Sequence, residues 1–368
     1  MAPGLFTAAA AVLAAVASLA AYVALNSPVD SVPSPPPPPT PPPNNLLQRL
    51  EKLGEGALDA PEDVYVDAAA GGALYTATRD GWLQRMHPSN GSWERWRFVG
   101  GTGLLGIAPS ADGTMLVCDA NKGLLRVGEE GVTLLASEVD GSPIKFADAA
   151  IEASDGVIYF SDASSRFGFD RWYYDFFESR ANGRLLRYDP STGLTSVVLD
   201  HLYFANGVAL PRDEAFVVVC ESTRFRCMKV WLKGEKAGQT ETFVDNLPGC
   251  PDNIRLGSDG HFWIALIQTR SPWLDLITPS SLAKRVVATF PAFLEWSKST
   301  MKGAMVAHVS EDGKIIRVLD DSQGKVINFA TSVNEFNGDI FLGSLATNFV
   351  GKLSLAEVTQ EQVTVSSS

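Results

Sequence analysis

The sequence predicts an all-β fold, a six-bladed β-propeller with two helical or aromatic insertions, preceded by an N-terminal apolar helix and a Pro-rich linker. Three observations predict it: a hairpin unit that recurs six times, outer-strand patterns between the recurrences, and two steps too long for the period.

The unit is plainest at Asp252-Asn253-Ile254-Arg255, where two oxygen-bearing side chains enter a strand, followed by an Asp259-Gly260 turn and the strand His261-Phe262-Trp263-Ile264. It recurs at Pro61-Glu62-Asp63-Val64, Leu105-Gly106-Ile107-Ala108, Phe146-Ala147-Asp148-Ala149, Asn206-Gly207-Val208-Ala209 and Ser332-Val333-Asn334-Glu335. The second strands begin near 72, 113, 156, 214, 260 and 338, in steps of 41, 43, 58, 46 and 78 residues. Segments such as Gly81 to Met86, Gly123 to Val127, Gly183 to Tyr188 and Met228 to Leu232 supply a third strand per blade. Gly351 to Leu355 belongs to the sixth blade or helps close the ring, which removes the exposed sheet edge.

The two long steps hold a different kind of sequence. Arg166 to Ser179 is crowded with aromatic residues, and Ser271 to Lys302 has apolar residues at helical spacing. Both insertions either pack on the propeller face, cover the channel mouth as a hydrophobic lid, or, for 271–302, dip into a membrane.

Ahead of the repeats, Leu5 to Leu25 is an uncharged, Ala-rich run of 21 residues, long enough at about 1.5 Å per residue to cross a core of roughly 30 Å. Residues 1–29 are accordingly expected to be a signal peptide or signal-anchor, and 30–45 a stiff linker, since Ser34 to Asn45 holds eight of the 22 prolines. Residues 46–368 form the propeller, beginning with a short helix for which Asn45 is the candidate cap. These features place the chain in the endomembrane lumen, endoplasmic reticulum or vacuole, membrane-anchored or secreted into the pathway. The sequon Asn90-Gly91-Ser92 would be glycosylated there. A net charge of −12 with no basic stripe argues against nucleic acid and leaves a small-molecule substrate as the partner. The cysteines 118, 220, 227 and 250 show no metal-ligand spacing, and no pairing follows from their positions.

Glu62, Asp148, Asn206, Asp252 and Asn253 stand at the start of inner strands in four repeats, so ring closure brings their oxygens together on the axis. Each alone reads as turn chemistry; their equivalence across repeats points to a site. Oxygen donors without His or Cys suit one Ca2+ ion on the axis. Without a cation, three carboxylates so close would repel, and some would keep a proton. The four histidines lie elsewhere, and no nucleophile elbow occurs.

Phe204 to Leu210, Leu247 to Arg255, Tyr159 to Ser164 and Gly183 to Asp189 resemble, in order, the plant strictosidine synthase-like proteins and the animal adipocyte plasma membrane-associated proteins. The resemblance covers roughly 55 to 355. It implies six blades and a distant relation to paraoxonases and gluconolactonases, calcium-dependent lactone and ester hydrolases. Their metal ligands would fall on Glu62, Asp148, Asn206 and Asp252, with Asn253 beside them; the relatives usually present Asn at the place of Asp148. True strictosidine synthase condenses tryptamine with secologanin through a glutamate in the last blade, a place held here by Thr331, with Glu335 four positions on. The cysteine pair those relatives carry before the second hairpin is also missing. The expected function is therefore a calcium-dependent hydrolase of lactones or esters, with Asp252 as ligand and as base or nucleophile. The alternatives are a strictosidine synthase-type amine-aldehyde condensing enzyme, disfavoured by Thr331, and a non-catalytic, metal-stabilised binding propeller.

Overall fold

The computed structural model describes residues 3–267 and 272–358, without the side chains of 3–9, Pro272 and Pro291. Six four-stranded antiparallel sheets surround a central axis. The innermost strands of blades 1 to 6 are Val64–Asp67, Leu104–Pro109, Ala147–Glu152, Ala205–Ala209, Cys250–Leu256 and Ala330–Phe336. These are the strands the repeated hairpins predict, and each pairs with the second strand of its hairpin. The ring closes by exchange between the chain ends: Glu51–Leu53 pairs antiparallel with Val350–Ser354 and becomes the outer strand of blade 6. Val350–Ser354 is therefore a third strand, and the closing strand comes from the other end of the domain.

Every blade also has a fourth strand, such as Trp93–Phe98 in blade 1 and Leu194–Leu202 in blade 3. These outer strands are largely exposed and carry apolar and polar residues without regular alternation, so they lack the pattern that marks a half-buried strand. Second strands such as Phe216–Glu221 and Phe262–Ile267 are buried almost throughout, because neighbouring blades cover both faces.

The inner strands are interrupted where polar side chains meet the axis. Register shifts fall between Ala147 and Ala150, between Ala205 and Val208, and between Pro251 and Ile254. A bulge leaves residues out of the ladder and re-aims their side chains, and here the freed residues include Asp148, Asn206, Asp252 and Asn253. Gly207 is required at this place, since a Cβ would lie 2.5 Å from the Asp252 carbonyl oxygen and 2.6 Å from the Ile254 nitrogen of the next blade.

The helices are α1 (Pro3–Asn26), α2 (Trp172–Glu178), α3 (Pro272–Ile277), α4 (Ser281–Thr289) and α5 (Pro291–Thr300). Among the described residues no helix is long and apolar enough to cross a membrane. The signal-anchor and the membrane contact through the N-terminal segment are corrected accordingly: the described end of α1 packs on the domain, with Val23 buried and Tyr22 stacked on Phe290 at 6.0 Å. The contact expected through 271–302 is corrected too. That insertion breaks into helices of 6, 9 and 10 residues, and Ile277, Val287 and Leu294 turn inward onto Phe167 and Phe177.

The Pro-rich segment is not a free spacer either. Val32 and Ser34 donate N–H groups to the carbonyls of Glu178 and Thr278 at 3.0 Å each. The buried Lys284 ammonium donates to the Val32 carbonyl, to Ser34 Oγ at 3.0 Å and to Ser179 Oγ at 2.9 Å. Farther on, Asp320 accepts from the backbone N–H of Asn44 and Asn45. The helix that follows is one 3₁₀ turn, Leu46–Arg49; Asn45 is left-handed and makes no side-chain cap, while Asn44 Oδ1 accepts the Leu46 N–H at 3.1 Å. Residues 27–45 thus form a strap over the insertions.

Beneath the strap, α2 is held by buried carboxyl groups. Glu178 accepts the Asp30 N–H at 2.9 Å and pairs with Arg166 at 3.1 Å, while Asp175 Oδ2 accepts from Ser164 at 2.6 Å and Asn182 at 3.0 Å. Asp175 Oδ1 has no partner among the described residues, and burial, with the charge of Glu178 adding, pushes this carboxyl up to about 7. A carboxyl raised in the folded state stabilises fully below its unfolded value near 4 and loses that contribution as pH rises through about 7. The melting temperature is expected to fall between pH about 4 and 7, and Asp175→Asn, which keeps the acceptor and mimics the protonated group, should shallow that slope. Parallel wild-type and variant slopes would contradict the assignment.

Candidate functional site

The bulged inner strands deliver Asp148 from blade 3, Asn206 from blade 4, and Asp252 and Asn253 from blade 5, and Glu62 arrives just ahead of the first strand of blade 1. All five are at least 96% buried. Asn253 Nδ2 lies 3.3 Å from Glu62 Oε1 and 3.4 Å from Asp252 Oδ1, tying blade 5 to blade 1 across the axis. Thr331, from blade 6, is fully buried and donates its hydroxyl to the Glu62 carbonyl at 2.6 Å. Its hydroxyl is therefore committed to holding Glu62. Glu335 accepts from Trp263 Nε1 at 2.7 Å and from the Ser258 hydroxyl, so it is spent on the junction of blades 5 and 6 rather than on the axis.

One functional candidate carries no signal in the repeats. Arg79 lies in the turn between the second and third strands of blade 1, donates to the carbonyls of Thr102 and Leu104 at 3.1 and 2.8 Å, and sits over the Phe169 ring at 4.6 Å. Among the described residues its Nη2 is buried without a partner, as are Glu62 Oε2 and Asn206 Oδ1. Unsatisfied buried polar atoms are uncommon and need a reason. These three belong to residues lining one cavity of about 410 Å³, so a ligand is the reason the geometry offers.

Electrostatics sharpen the picture. Burial first, then the charges of Asp252, Asp63 and Asp148, hold Glu62 well above the ordinary carboxyl range, and Arg79 opposes them. Burial pushes Asp148 up to about 8 against the pull of Arg79. Burial, then Asp148 and Asp63, raises Asp252 as well, opposed by hydrogen bonds from the Asn253 backbone and the Asn206 side chain. Burial lowers Arg79, against the attraction of Glu62, Asp148 and Asp252. One cation faces three carboxyl groups, so burial and mutual repulsion favour retained protons in the set.

The expected Ca2+ ion is not supported by this arrangement. Among the described residues no group of three or more His, Cys, Asp or Glu side chains could hold a metal ion. The physical reasons are local: Asn253 turns its NH₂ toward Glu62 and Asp252, Arg79 already supplies positive charge, and burial favours the protonated carboxyls. Residue types suited to Ca2+ are present at Glu62, Asp148, Asn206, Asp252 and Asn253, but their donors do not form a cage.

Above this polar floor the cavity is aromatic. Phe146 and Phe204 contact edge to face at 5.4 Å, Phe169 meets Phe146 at 5.8 Å, and Phe176 meets Phe204 at 4.9 Å. Trp172, Lys298 and Met301 complete the rim. The two insertions therefore act as a lid over the channel mouth.

Comparison with known proteins agrees with the fold. The strictosidine synthase family matches residues 148–235, and the strictosidine synthase-like N-terminal family matches 42–86. Protein strictosidine synthase-like 4 of Arabidopsis thaliana is 35% identical over 336 residues, 89% of this chain and 88% of that one. Adipocyte plasma membrane-associated protein of Homo sapiens is 33% identical over 367 residues, 92% of this chain and 87% of that one. Among solved structures, a gluconolactonase of Xanthomonas campestris superposes with a TM-score of 0.59 at 15% identity, over 88% of this chain and 99% of that one. The calcium-binding protein regucalcin of Agrobacterium tumefaciens gives 0.54 at 14% identity, over 82% and 92%. At such identities the solved structures share the fold alone. The sequence relatives go further, and the chain belongs to the strictosidine synthase-like family.

Proposed function

We propose that this propeller hydrolyses lactones or esters by general acid and base catalysis on its axis. The single observation that carries the proposal is the convergence of three buried carboxyl groups and one arginine on an aromatic-walled cavity, with three polar atoms left unpartnered. Such a set holds ionised and protonated carboxyls side by side, which is what hydrolysis near neutral pH requires. Asp252, oriented by hydrogen bonds from Asn253 and Asn206, is assigned as the base, for which it must shed the proton that burial and the charges of Asp148 and Asp63 favour. Asp148, raised to about 8, serves as the acid.

In the step so assigned, water attacks the carbonyl carbon and gives its proton to Asp252. The carbonyl oxygen, now negative, meets Arg79 Nη2. The bond to the leaving oxygen then breaks, and that oxygen takes its proton from Asp148. The gluconolactonase fold of the solved neighbour favours lactones as first substrates to try. The expected result on a panel of lactones and aryl esters is turnover by the full chain, falling about 10²- to 10⁴-fold in kcat/KM in Asp252→Asn at unchanged melting temperature. Undiminished turnover in that variant would remove Asp252 from the chemistry.

We also place the chain in the lumen of the secretory pathway. The Cys220–Cys227 disulfide, between paired strands of blade 4, supports an oxidising compartment, and Asn90 is exposed in a turn where a glycan would fit. Endoglycosidase treatment of protein expressed in eukaryotic cells should increase gel mobility, and Asn90→Gln should abolish that shift. An unshifted wild-type band would contradict modification at Asn90.

A further inference from the structure

A second cavity, of about 100 Å³, lies beside the first and has no part in the chemistry above. Trp172, Phe176, Lys298 and Met301 line both, so these four residues are the partition between axial site and side chamber. Beyond the partition the chamber is built largely from the strap and the insertions: Pro35, Pro37, Phe177, Leu274 and Leu294 line it, with Phe225 from the propeller.

Asp275, Ser297 and Tyr173 also line the chamber, and other polar groups on its wall are already occupied. Ser34 and Ser179 share a hydrogen bond of 2.7 Å and both accept from Lys284. Thr278 Oγ1 donates to the Leu274 carbonyl at 2.9 Å, and Thr223 Oγ1 to the Tyr203 carbonyl at 3.3 Å. Lys298 Nζ is drawn to Glu295 at 2.9 Å and lies over the Tyr173 ring at 4.1 Å. What the chamber offers an occupant is mainly apolar surface, whereas the axial cavity keeps its unpartnered polar atoms. Ligand sites commonly combine an apolar enclosure with a few fixed polar groups.

We infer that the substrate is an amphiphile: its ester or lactone carbonyl sits on the axis, and an apolar chain passes the Trp172, Phe176 and Met301 partition into the side chamber. The inference rests on the hydrolase reading for the carbonyl end, while the chamber end stands on its own geometry. The chain is the source of binding energy remote from the reacting atoms, and the strap and α3 set its length. Leu274 lines the chamber and not the axial cavity, so it controls chain preference without touching the chemistry.

The test uses the full chain with p-nitrophenyl acetate, p-nitrophenyl decanoate and 11-bromoundecanoic acid, whose bromine quenches nearby tryptophan fluorescence. Leu274→Phe narrows the chamber and Leu274→Ala enlarges it. Leu274→Phe is expected to lower kcat/KM for the decanoate about tenfold, the effect of leaving roughly two methylenes unburied, with the acetate unchanged. Leu274→Ala should shift the preference toward longer chains. The bromo acid should quench saturably, less so in Trp172→Phe, and bind more weakly in Leu274→Phe. An unchanged chain-length preference in both Leu274 variants, together with quenching indifferent to Leu274→Phe, overturns the inference even if esters are cleaved. Quenching that follows Leu274 without cleavage of either ester upholds the chamber and overturns the hydrolase reading.

Discussion

Across the channel, Asp63 of blade 1 meets Arg255 of blade 5 at 2.6 Å, and the same carboxylate accepts the Ile107 N–H of blade 2 at 2.8 Å. Its other oxygen accepts the Val64 N–H at 2.8 Å, and Arg255 also donates to the Ile107 carbonyl. Three blades are thereby joined at one fully buried carboxylate next to Glu62. Removing one partner from such a pair leaves an uncompensated buried charge and typically costs about 3–5 kcal/mol. The ring closes elsewhere through backbone pairing, but the placement of Glu62 relative to Asp252 depends on this crossing.

From that crossing outward, the site follows from competing demands on the inner strands. Ladder hydrogen bonding would send alternate side chains toward the axis at regular intervals. The bulges break this alternation at Asp148, Asn206 and the Asp252-Asn253 pair, while Thr331 holds the backbone at Glu62. The result is a polar floor that burial alone would disfavour, made tolerable by retained protons and by Arg79. The insertions then wall the cavity from above with Phe169, Trp172 and Phe176.

Much of this was legible in the sequence because the inner hairpins repeat and because buried strands between blades are rich in branched and aromatic residues. The entrance residues could be aligned with one another, so their convergence followed from ring closure alone. Arg79 could not be found this way: it comes from a different turn and has no equivalent among the entrance residues. The direction of the Asn253 amide was equally invisible, and residue type alone therefore suggested a calcium cage where the structure has hydrogen-bond donors facing carboxyls. The outer strands escaped because they are largely exposed and their apolar residues, such as Phe98 and Leu194, do not alternate with polar ones. The strap escaped because a run of prolines specifies an extended chain but not what lies under it; the contacts of Lys284 and Asp320 decide that.

The most direct test of an axial reaction centre is a crystal structure with a phosphonate analogue of the tetrahedral intermediate. The account predicts the analogue on the axis, with a phosphonate oxygen against Arg79 Nη2 and another against the Asp252 carboxyl. An analogue bound outside the axial cavity, or on the axis with Arg79 and Asp252 both out of contact, would contradict it.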